Sequence, residues 1–509
     1  MDTLGTFQSL KYVLPETALT AAIVAVIVLD LVPALRRRRV AMATTLAGLC
    51  LTLVAILVRV YVFQRTEAAS TGHLLFGGMI VFSKFSLFFK VVLVLTSIFV
   101  TLFSLRSAQV KQAGEGEYCT LLLTGTLGCF LMSAASDFLM VYLSIELVSI
   151  SSYVMVGFFR RDRKSAEAAL KYVIYGAVAS GLMIFGLSFL YGLTGSTTFG
   201  QVYEGLSQRV TGDVGTVAVV FCFLLILAGF GYKIACFPFH MWCPDVYEGA
   251  PTPITAFLSV GPKAAGFAAM IQFFYANLSS QDAAGVYHAI GGTRWPWALA
   301  LIAVATMTAG NLGAIPQTNV KRMLAYSSIA HAGYLMIPFV MLSDRGLQAV
   351  LVYIVIYLLM NLGAFLAVIV VAEKTGGEEL KDFRGLGWKA PQVAVPMAIF
   401  LFSLVGLPPL AGFIGKFWLI FPAIEGHWYW LVVAAVLNSV VSLYYYLNIV
   451  RVMFLEGIPS SSAPPERFAV PALYSVLLWV LAIPTVWLGL RFEGLSELAG
   501  KCASLTMGR

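Results

Sequence analysis

The chain has 509 residues, of which 60% are hydrophobic and only 11% are charged, and its formal net charge is +8. Soluble domains are about 45–50% apolar and about 25% charged, so the composition excludes an ordinary soluble enzyme, a disordered chain and a secreted disulfide scaffold. It indicates a polytopic membrane protein whose basic residues lie in cytoplasmic loops, and not a protein that binds nucleic acid.

Fourteen apolar segments are long enough to cross a bilayer, because a spanning helix needs about 20 residues. We therefore predict an all-α polytopic membrane protein with about 14 transmembrane helices. In chain order the predicted helices cover residues 11–33, 41–62, 78–105, 118–134, 137–159, 166–192, 214–237, 252–277, 297–314, 322–342, 347–372, 393–424, 428–454 and 469–490.

The distribution of basic residues predicts the orientation. Connections after odd-numbered helices, beginning with the run Arg36–Arg39, carry about twice as many Lys and Arg residues as the opposite side. The positive-inside rule places these connections in the cytoplasm. Both chain termini are then expected on the outer side.

The seventh and twelfth predicted helices are interrupted. The segment Gly229–His240 contains Pro238 and Lys233, and the segment Gly406–Lys416 contains two adjacent prolines. Because proline removes a backbone donor and glycine adds freedom, each helix is expected to open in mid-membrane. Paired interrupted helices in corresponding positions indicate an internal repeat and an ion pathway.

We therefore divide the chain into four parts, with two inverted repeats of five helices at its centre. The predicted parts are 1–117 (helices 1–3), 118–277 (first repeat, helices 4–8), 297–454 (second repeat, helices 9–13) and 469–509 (helix 14 and the tail).

Several charged residues fall within predicted helices, where a charge costs about 2.5–3.5 kcal/mol or more. Glu146 is the only formal charge between Phe138 and Phe159. It is either a protonated, hydrogen-bonded carboxyl or the charge partner of a lysine. Lys233, at the first break, either belongs to a fixed ion pair or holds and releases a proton as such a pair tightens and loosens.

Lys263, in the eighth predicted helix, either relays a proton from Lys233 or extends its ammonium toward the membrane surface. Lys416, at the second break, is either the group that releases the proton or half of a fixed pair. His240, which can titrate near neutral pH, is equally a polar residue at a helix break.

Three further polar groups stay open to both interpretations. His331 either bridges two proton half-channels through ordered water, together with Tyr326, Ser327 and Ser328, or belongs to a packed polar helix face. Glu167 and Lys171 have the spacing of an ion pair on one helix face, with a structural or a supporting role.

The sequence predicts no metal or cofactor site in this chain. Cys236, His240 and Cys243 are close together, but a fourth metal ligand is missing. The chain lacks a phosphate-binding loop, a dinucleotide fingerprint and a cysteine cluster suited to iron–sulfur binding. Energy is therefore expected from an ion gradient or from partner subunits.

Three long segments carry a family resemblance. Residues 232–253, 310–333 and 407–417 read YKIACFPFHMWCPDVYEGAPTP, GNLGAIPQTNVKRMLAYSSIAHAG and LPPLAGFIGKF. They resemble the signatures of the proton-conducting membrane subunits of respiratory complex I. This antiporter-like family also occurs in multisubunit sodium/proton antiporters and membrane-bound hydrogenases.

The resemblance implies a proton-translocating subunit of an NADH–quinone oxidoreductase. It assigns proton transfer to Glu146, Lys233, Lys263 and Lys416, and links Lys321 and Tyr326 to the central axis. It also implies other membrane-arm subunits as partners, including further antiporter-like ones, in a bacterial inner (plasma) membrane. Flavin, iron–sulfur clusters and quinone are expected in those partners.

Two other functions remain open on the sequence. The chain could serve a multisubunit cation/proton antiporter with no redox role, because the same residues would be used. It could also be a structural subunit of the same complex that does not itself move protons.

Overall fold

The structure is a computed structural model that describes residues 3–32, 40–66, 72–107, 110, 114–159, 161–209, 212–282, 287–457 and 467–503. The basic run Arg36–Arg39 and the terminal residues Met1 and Arg509 lie outside these ranges. The orientation in the membrane, which depends partly on them, therefore stays a prediction.

The described chain is predominantly helical, because a backbone within lipid must satisfy its own donors and acceptors. Its helices are α1 (Thr6–Ser9), α2 (Leu14–Leu31), α3 (Val40–Thr66), α4 (Lys84–Ser104), α5 (Glu115–Met132), α6 (Phe138–Val156), α7 (Arg163–Thr194), α8 (Phe199–Arg209), α9 (Gly212–Ile234), α10 (Trp242–Gly249), α11 (Thr252–Leu278), α12 (Trp295–Ala314), α13 (Val320–Val340), α14 (Asp344–Thr375), α15 (Leu386–Lys389), α16 (Pro391–Val405), α17 (Ala411–Glu425), α18 (Tyr429–Phe454), α19 (Ala472–Leu490) and α20 (Glu493–Cys502).

The predicted polytopic helical fold is confirmed. Twelve described helices are by themselves long and apolar enough to span a membrane. The remaining two predicted helices correspond to α5, which begins with two glutamates in its first turn, and to the pair α16 and α17. The chain also bends by 118° between residues 380–389 and α16, a feature that the sequence did not predict.

Short elements were missed or displaced in the prediction. An antiparallel hairpin of β1 (His73–Leu75) and β2 (Ile80–Phe82) pairs His73 with Phe82. The third predicted helix was therefore wrong at its start, because Ser83 and Ser86 form a capping box that begins α4 at Lys84. A second hairpin joins β3 (Ser279–Gln281) to β4 (Tyr287–Ala289).

Helix α11 lies at the centre of the molecule. All of its 27 residues are buried, and it packs against α4, α5, α8, α9 and α14. The spanning windows of α13 and α14 are also almost wholly buried, whereas those of α2, α3 and α7 are only 28%, 28% and 33% buried. Polar groups on α11 and α13 must therefore find their partners within the protein.

The ends of α7 and α14, and the N-caps of α6 and α13, support an internal repeat. Both helices have 32 residues, and they end at left-handed glycines, Gly195 and Gly376. Asp137, which caps α6, forms an isolated antiparallel bridge with Thr198 just after α7. Asn319, which caps α13, forms the same bridge with Glu379 just after α14. The division of the chain into four parts itself stays a prediction.

Both predicted breaks are present. Helix α9 ends at Ile234 and α10 begins at Trp242, while α16 ends at Val405 and α17 begins at Ala411. Each break contains a cis peptide bond before a proline, Phe237–Pro238 in the first and Pro408–Pro409 in the second. Lys233 lies in the last turn before the first break, and Lys416 lies in the helix after the second.

Gly412 allows the two halves of the second break to approach closely. A Cβ atom at Gly412 would lie 1.7 Å from the Ser403 carbonyl oxygen, whereas a Cβ at Gly181 on α7 would meet nothing within 4 Å. We expect Gly412→Ala to destabilise the protein by about 1–3 kcal/mol, because the backbone must shift. Gly181→Ala is the matched control. Equal melting temperatures of the two detergent-purified variants would contradict this reading.

Candidate functional site

Four of the ionisable residues singled out in the sequence lie in the interior of the helical body. Lys233 on α9, Lys263 on α11, His331 on α13 and Lys416 on α17 have exposed fractions of 2%, 4%, 2% and 5%. The four elements are drawn from both predicted repeats. Their polar ends therefore depend on protein partners rather than on bulk water.

Lys233 reaches α6, but it does not form an ion pair with Glu146. Its ammonium donates to the Ser149 hydroxyl at 3.0 Å and to the Ile145 carbonyl at 3.4 Å. Residues 145 and 149 share one helix face, and residue 146 is rotated away from it by about 100°. Lys233 therefore contacts the helix that carries Glu146, but the charged groups of the two residues are not in direct contact.

The Glu146 carboxyl is half-buried, and its Oε1 atom has no hydrogen-bond partner among the described residues. The aliphatic part of the Lys233 side chain passes close to α11. A Cβ atom at Gly266 of α11 would lie 3.3 Å from the Cγ of Lys233. Gly266 stands three residues after Lys263, so the two lysines approach the same region of α11.

Lys263 contacts α13. Its ammonium donates to the Ser328 carbonyl at 3.1 Å and to the Ser328 hydroxyl, and it lies 5.8 Å from the centre of the Tyr247 ring. A cavity of about 10 Å³ lies between Lys263 and His331 and is also lined by Ser328 and Tyr357. This volume corresponds to about one water molecule.

His331 is held between two phenols from different helices. Its Nδ1 lies 2.6 Å from the Tyr353 hydroxyl on α14, and its Nε2 lies 3.3 Å from the Tyr446 hydroxyl on α18. Tyr446 also bonds to Ser327. Because a neutral imidazole has one donor and one acceptor nitrogen, one phenol donates to the ring and the other accepts from it.

Lys416 folds back across the second break. Its ammonium donates to the Val405 carbonyl at 2.8 Å and to the Ser439 hydroxyl at 3.0 Å. Val405 is the last residue of α16, so its carbonyl belongs to the negative end of a half-helix, where a cation is favoured. The ammonium also lies 4.6 Å from the centre of the Tyr334 ring, which stands beside His331.

His240 lies at the first break and is buried. Its ring stacks on Phe237 at 5.7 Å, and its Nδ1 has no hydrogen-bond partner among the described residues. The structure therefore does not join His240 to Lys263 by a hydrogen bond.

Helix α10 is held by a network of charges at one end of the bundle. Lys171 bonds to Glu167 at 2.9 Å, as the spacing predicted, and to Asp245 at 2.7 Å. Arg322, the third residue of α13, bonds to Asp245 at 2.5 Å and to Glu248 at 3.0 Å. The sequence did not predict this network for Asp245, Glu248 and Arg322, although the first two have the spacing of neighbours on one helix face.

Opposite charges set the protonation of the two α10 acids. Burial raises the pKa of the Asp245 carboxyl, but hydrogen bonds from Lys171 and Arg322 outweigh it and hold the pKa below its usual value. Burial likewise raises the pKa of Glu248, and Lys164 and Arg322 outweigh it. Both acids are therefore ionised at neutral pH.

Lys321 caps the other end of α10. Its ammonium donates to the Ala250 carbonyl at 3.0 Å and pairs with Glu378 at 2.9 Å. Tyr326 packs against α12, where a Cβ at Gly313 would lie 2.4 Å from its ring. Among the described residues, no group of three or more His, Cys, Asp or Glu side chains could hold a metal ion.

Comparison with known proteins identifies a family. The model of the family described as NADH:quinone oxidoreductase/Mrp antiporter, transmembrane, matches residues 135–442. A protein of Anaeromyxobacter sp. (strain Fw109-5) named NADH-quinone oxidoreductase subunit N is 45% identical over 94% of this chain and 93% of its own length. A protein of Sorangium cellulosum (strain So ce56) named NADH-quinone oxidoreductase subunit N 2 is 46% identical over 99% of both chains.

The fold is similar to that of a chain in a solved structure of respiratory complex I from Thermus thermophilus with bound aureothin. The TM-score is 0.76 at 29% sequence identity, and the match covers 96% of this chain and 100% of that one.

Arg322→Gln tests the attachment of α10. The variant leaves two partly buried carboxylates with one cation fewer, and we expect a loss of about 1–3 kcal/mol at neutral pH. Because the folded acids have lowered pKa values, the stabilisation is present above about pH 4 and is lost as pH falls through the folded values. The difference in melting temperature from the unsubstituted protein should therefore shrink in acid.

Arg345→Gln is the control, since Arg345 forms an exposed pair with Glu425 and its side chain is 65% exposed, against 27% for Arg322. Exposed pairs contribute little. A loss for Arg322→Gln no larger than the control's would refute the attachment.

Proposed function

The chain belongs to the NADH:quinone oxidoreductase/Mrp antiporter transmembrane family, and from this membership we propose that it is a proton-translocating membrane-arm subunit of an NADH–quinone oxidoreductase. Names and coverage of the relatives support the subunit assignment over nearly the whole chain. In this proposal the chain is a subunit of an oxidoreductase, and electron transfer takes place in its partner subunits.

The observation that carries proton translocation is the row of buried lysines. Among the described residues, Lys233, Lys263 and Lys416 form no ion pair with a carboxylate. Uncompensated ionisable groups within a membrane protein are costly, and they mark proton or ion pathways. A lysine held only by neutral groups can exist with or without its proton.

The contacts support one order for the proposed transfers. Lys233 and Lys263 approach the same region of α11, and the small cavity joins Lys263 to His331. His331 stands next to Tyr334, which contacts Lys416. A proton released by the Lys263 ammonium would pass through one water to the imidazole, and from there toward the amine of Lys416.

We place the redox groups in partner subunits. The chain consists mainly of spanning helices and short connections, which leaves little room for an aqueous domain. Flavin, iron–sulfur clusters and quinone would be held by other subunits, and further antiporter-like subunits would adjoin this one in the membrane arm. The proposed location is a bacterial inner membrane with both termini on the outer side.

One alternative has specific support. The matching family model includes Mrp antiporters as well as NADH:quinone oxidoreductases. A cation/proton antiporter subunit would use the same buried lysines, so the two functions differ in the partners rather than in this chain.

Purification of the tagged chain from native membranes in mild detergent separates these two functions. We expect flavin- and iron–sulfur-containing subunits to co-purify, with visible absorbance and NADH–quinone activity. A colourless assembly of small hydrophobic partners would contradict the proposal and favour the antiporter.

Lys233→Ala tests whether the chain itself moves protons. Removing a transfer group should slow NADH-driven proton uptake by membrane vesicles on the order of 100-fold. NADH oxidation with an artificial electron acceptor should persist, because the redox subunits are intact. Lys381→Ala, at an exposed lysine outside the described membrane-spanning helices, is the control. Undiminished proton uptake in Lys233→Ala would leave the chain a structural role only.

A further inference from the structure

Lys233, Lys263 and Lys416, the buried lysines that form no ion pair among the described residues, have ammonium groups with the same kind of surroundings. Each one bonds to a serine hydroxyl and to a main-chain carbonyl: Ser149 and Ile145 for Lys233, Ser328 alone for Lys263, and Ser439 and Val405 for Lys416. These serines come from α6, α13 and α18. The sequence pointed to Ser328 as a possible bridging group beside His331, but it did not point to Ser149 or Ser439.

In two of the three sites the partners close a triangle. The Ser149 hydroxyl donates to the Ile145 carbonyl at 2.7 Å, and Lys233 bonds to both groups. The Ser439 hydroxyl donates to the Val405 carbonyl at 2.9 Å, and Lys416 bonds to both groups. The recurrence on different helices of the two predicted repeats indicates a shared requirement of the lysines.

The hydroxyl differs from the carbonyl in one decisive property. A carbonyl or a carboxylate only accepts hydrogen bonds, so it can serve only the N–H groups of a lysine. A serine hydroxyl accepts from the ammonium, and it can also donate to the lone pair of the neutral amine. Buried polar groups that lose their partners are strongly disfavoured.

We propose that Ser149, Ser328 and Ser439 are positioning residues that keep each lysine hydrogen-bonded in both of its protonation states. When the lysine is charged, the serine oxygen accepts from the ammonium. In the two triangles the O–H then points to the carbonyl. After the proton has left, the O–H turns to the amine nitrogen and an amine N–H donates to the carbonyl. The serine neither gains nor loses a proton.

This inference rests on the proposed function, since it concerns lysines that load and unload protons. It adds that the neutral partners are selected for two-way hydrogen bonding and not merely for polarity. A structural role would require only that the hydroxyl bond to the backbone. Many buried serines in this chain do so, including Ser144 on α6, which donates to Val141.

Ser149→Ala and Ser439→Ala are the test variants, measured in vesicles that contain the whole complex. We expect each to lower the initial rate of NADH-driven proton uptake about tenfold. Oxidation of NADH with an artificial acceptor should remain, because the redox subunits are intact, and co-purification of the variant chain with those subunits reports that the complex has assembled. Ser149→Thr and Ser439→Thr retain the hydroxyl and should restore most of the rate.

Ser144→Ala is the matched control on α6, and Ser442→Ala is the matched control on α18. Proton uptake in the test variants equal to that of these controls would overturn the inference, as would threonine variants as slow as the alanine variants. If one alanine variant fails to assemble, the other site decides. Unsubstituted vesicles that oxidise NADH without taking up protons would instead refute the proposed function.

Discussion

The structure depends on one constraint: an ammonium group buried in a membrane protein must be satisfied without the help of water. Lys233, Lys263 and Lys416 meet this constraint with hydroxyls and carbonyls instead of carboxylates. The second break frees a carbonyl at the end of α16 for Lys416, and Gly406 leaves room for its stem, since a Cβ there would lie 3.0 Å from the Lys416 Cδ. The interruption of the helix thus supplies a hydrogen-bond acceptor that the buried Lys416 needs.

The caps that relate α6 to α13 also reveal where the two predicted repeats differ. Glu146 stands nine residues after the cap Asp137, and Ser328 stands nine residues after the cap Asn319. By the same count Ser149 corresponds to His331. The two equivalent positions therefore hold Glu146 and Ser149 in the first predicted repeat. They hold Ser328 and His331 in the second.

The sequence was sufficient for the long helices, both breaks and the lysines, because these depend on hydropathy, proline and charge. It was insufficient for the hairpin at β1 and β2, for α8 and for α20, which are too short or too polar to give a hydropathy signal. The expected contact between Glu146 and Lys233 illustrates a second limit. Pairing two helices from sequence does not determine their rotation, and here rotation presents Ile145 and Ser149 to the lysine. The partners Asp245 and Arg322 are 77 residues apart, a relation that only the fold creates.

Helix α11 has no face toward lipid, and the mean hydropathy of its spanning window is 1.4, against 2.7 for α14. It carries Pro262, Lys263 and Gln272, all of them buried. A segment of this composition gains little from the bilayer by itself. During synthesis we expect α11 to pack against helices that are already inserted, including α4, α5 and α9. Helix α14, which is made later, then packs against its remaining face. Because α4, α5 and α9 precede α11 in the chain, protein partners for the segment that carries Lys263 are made before it.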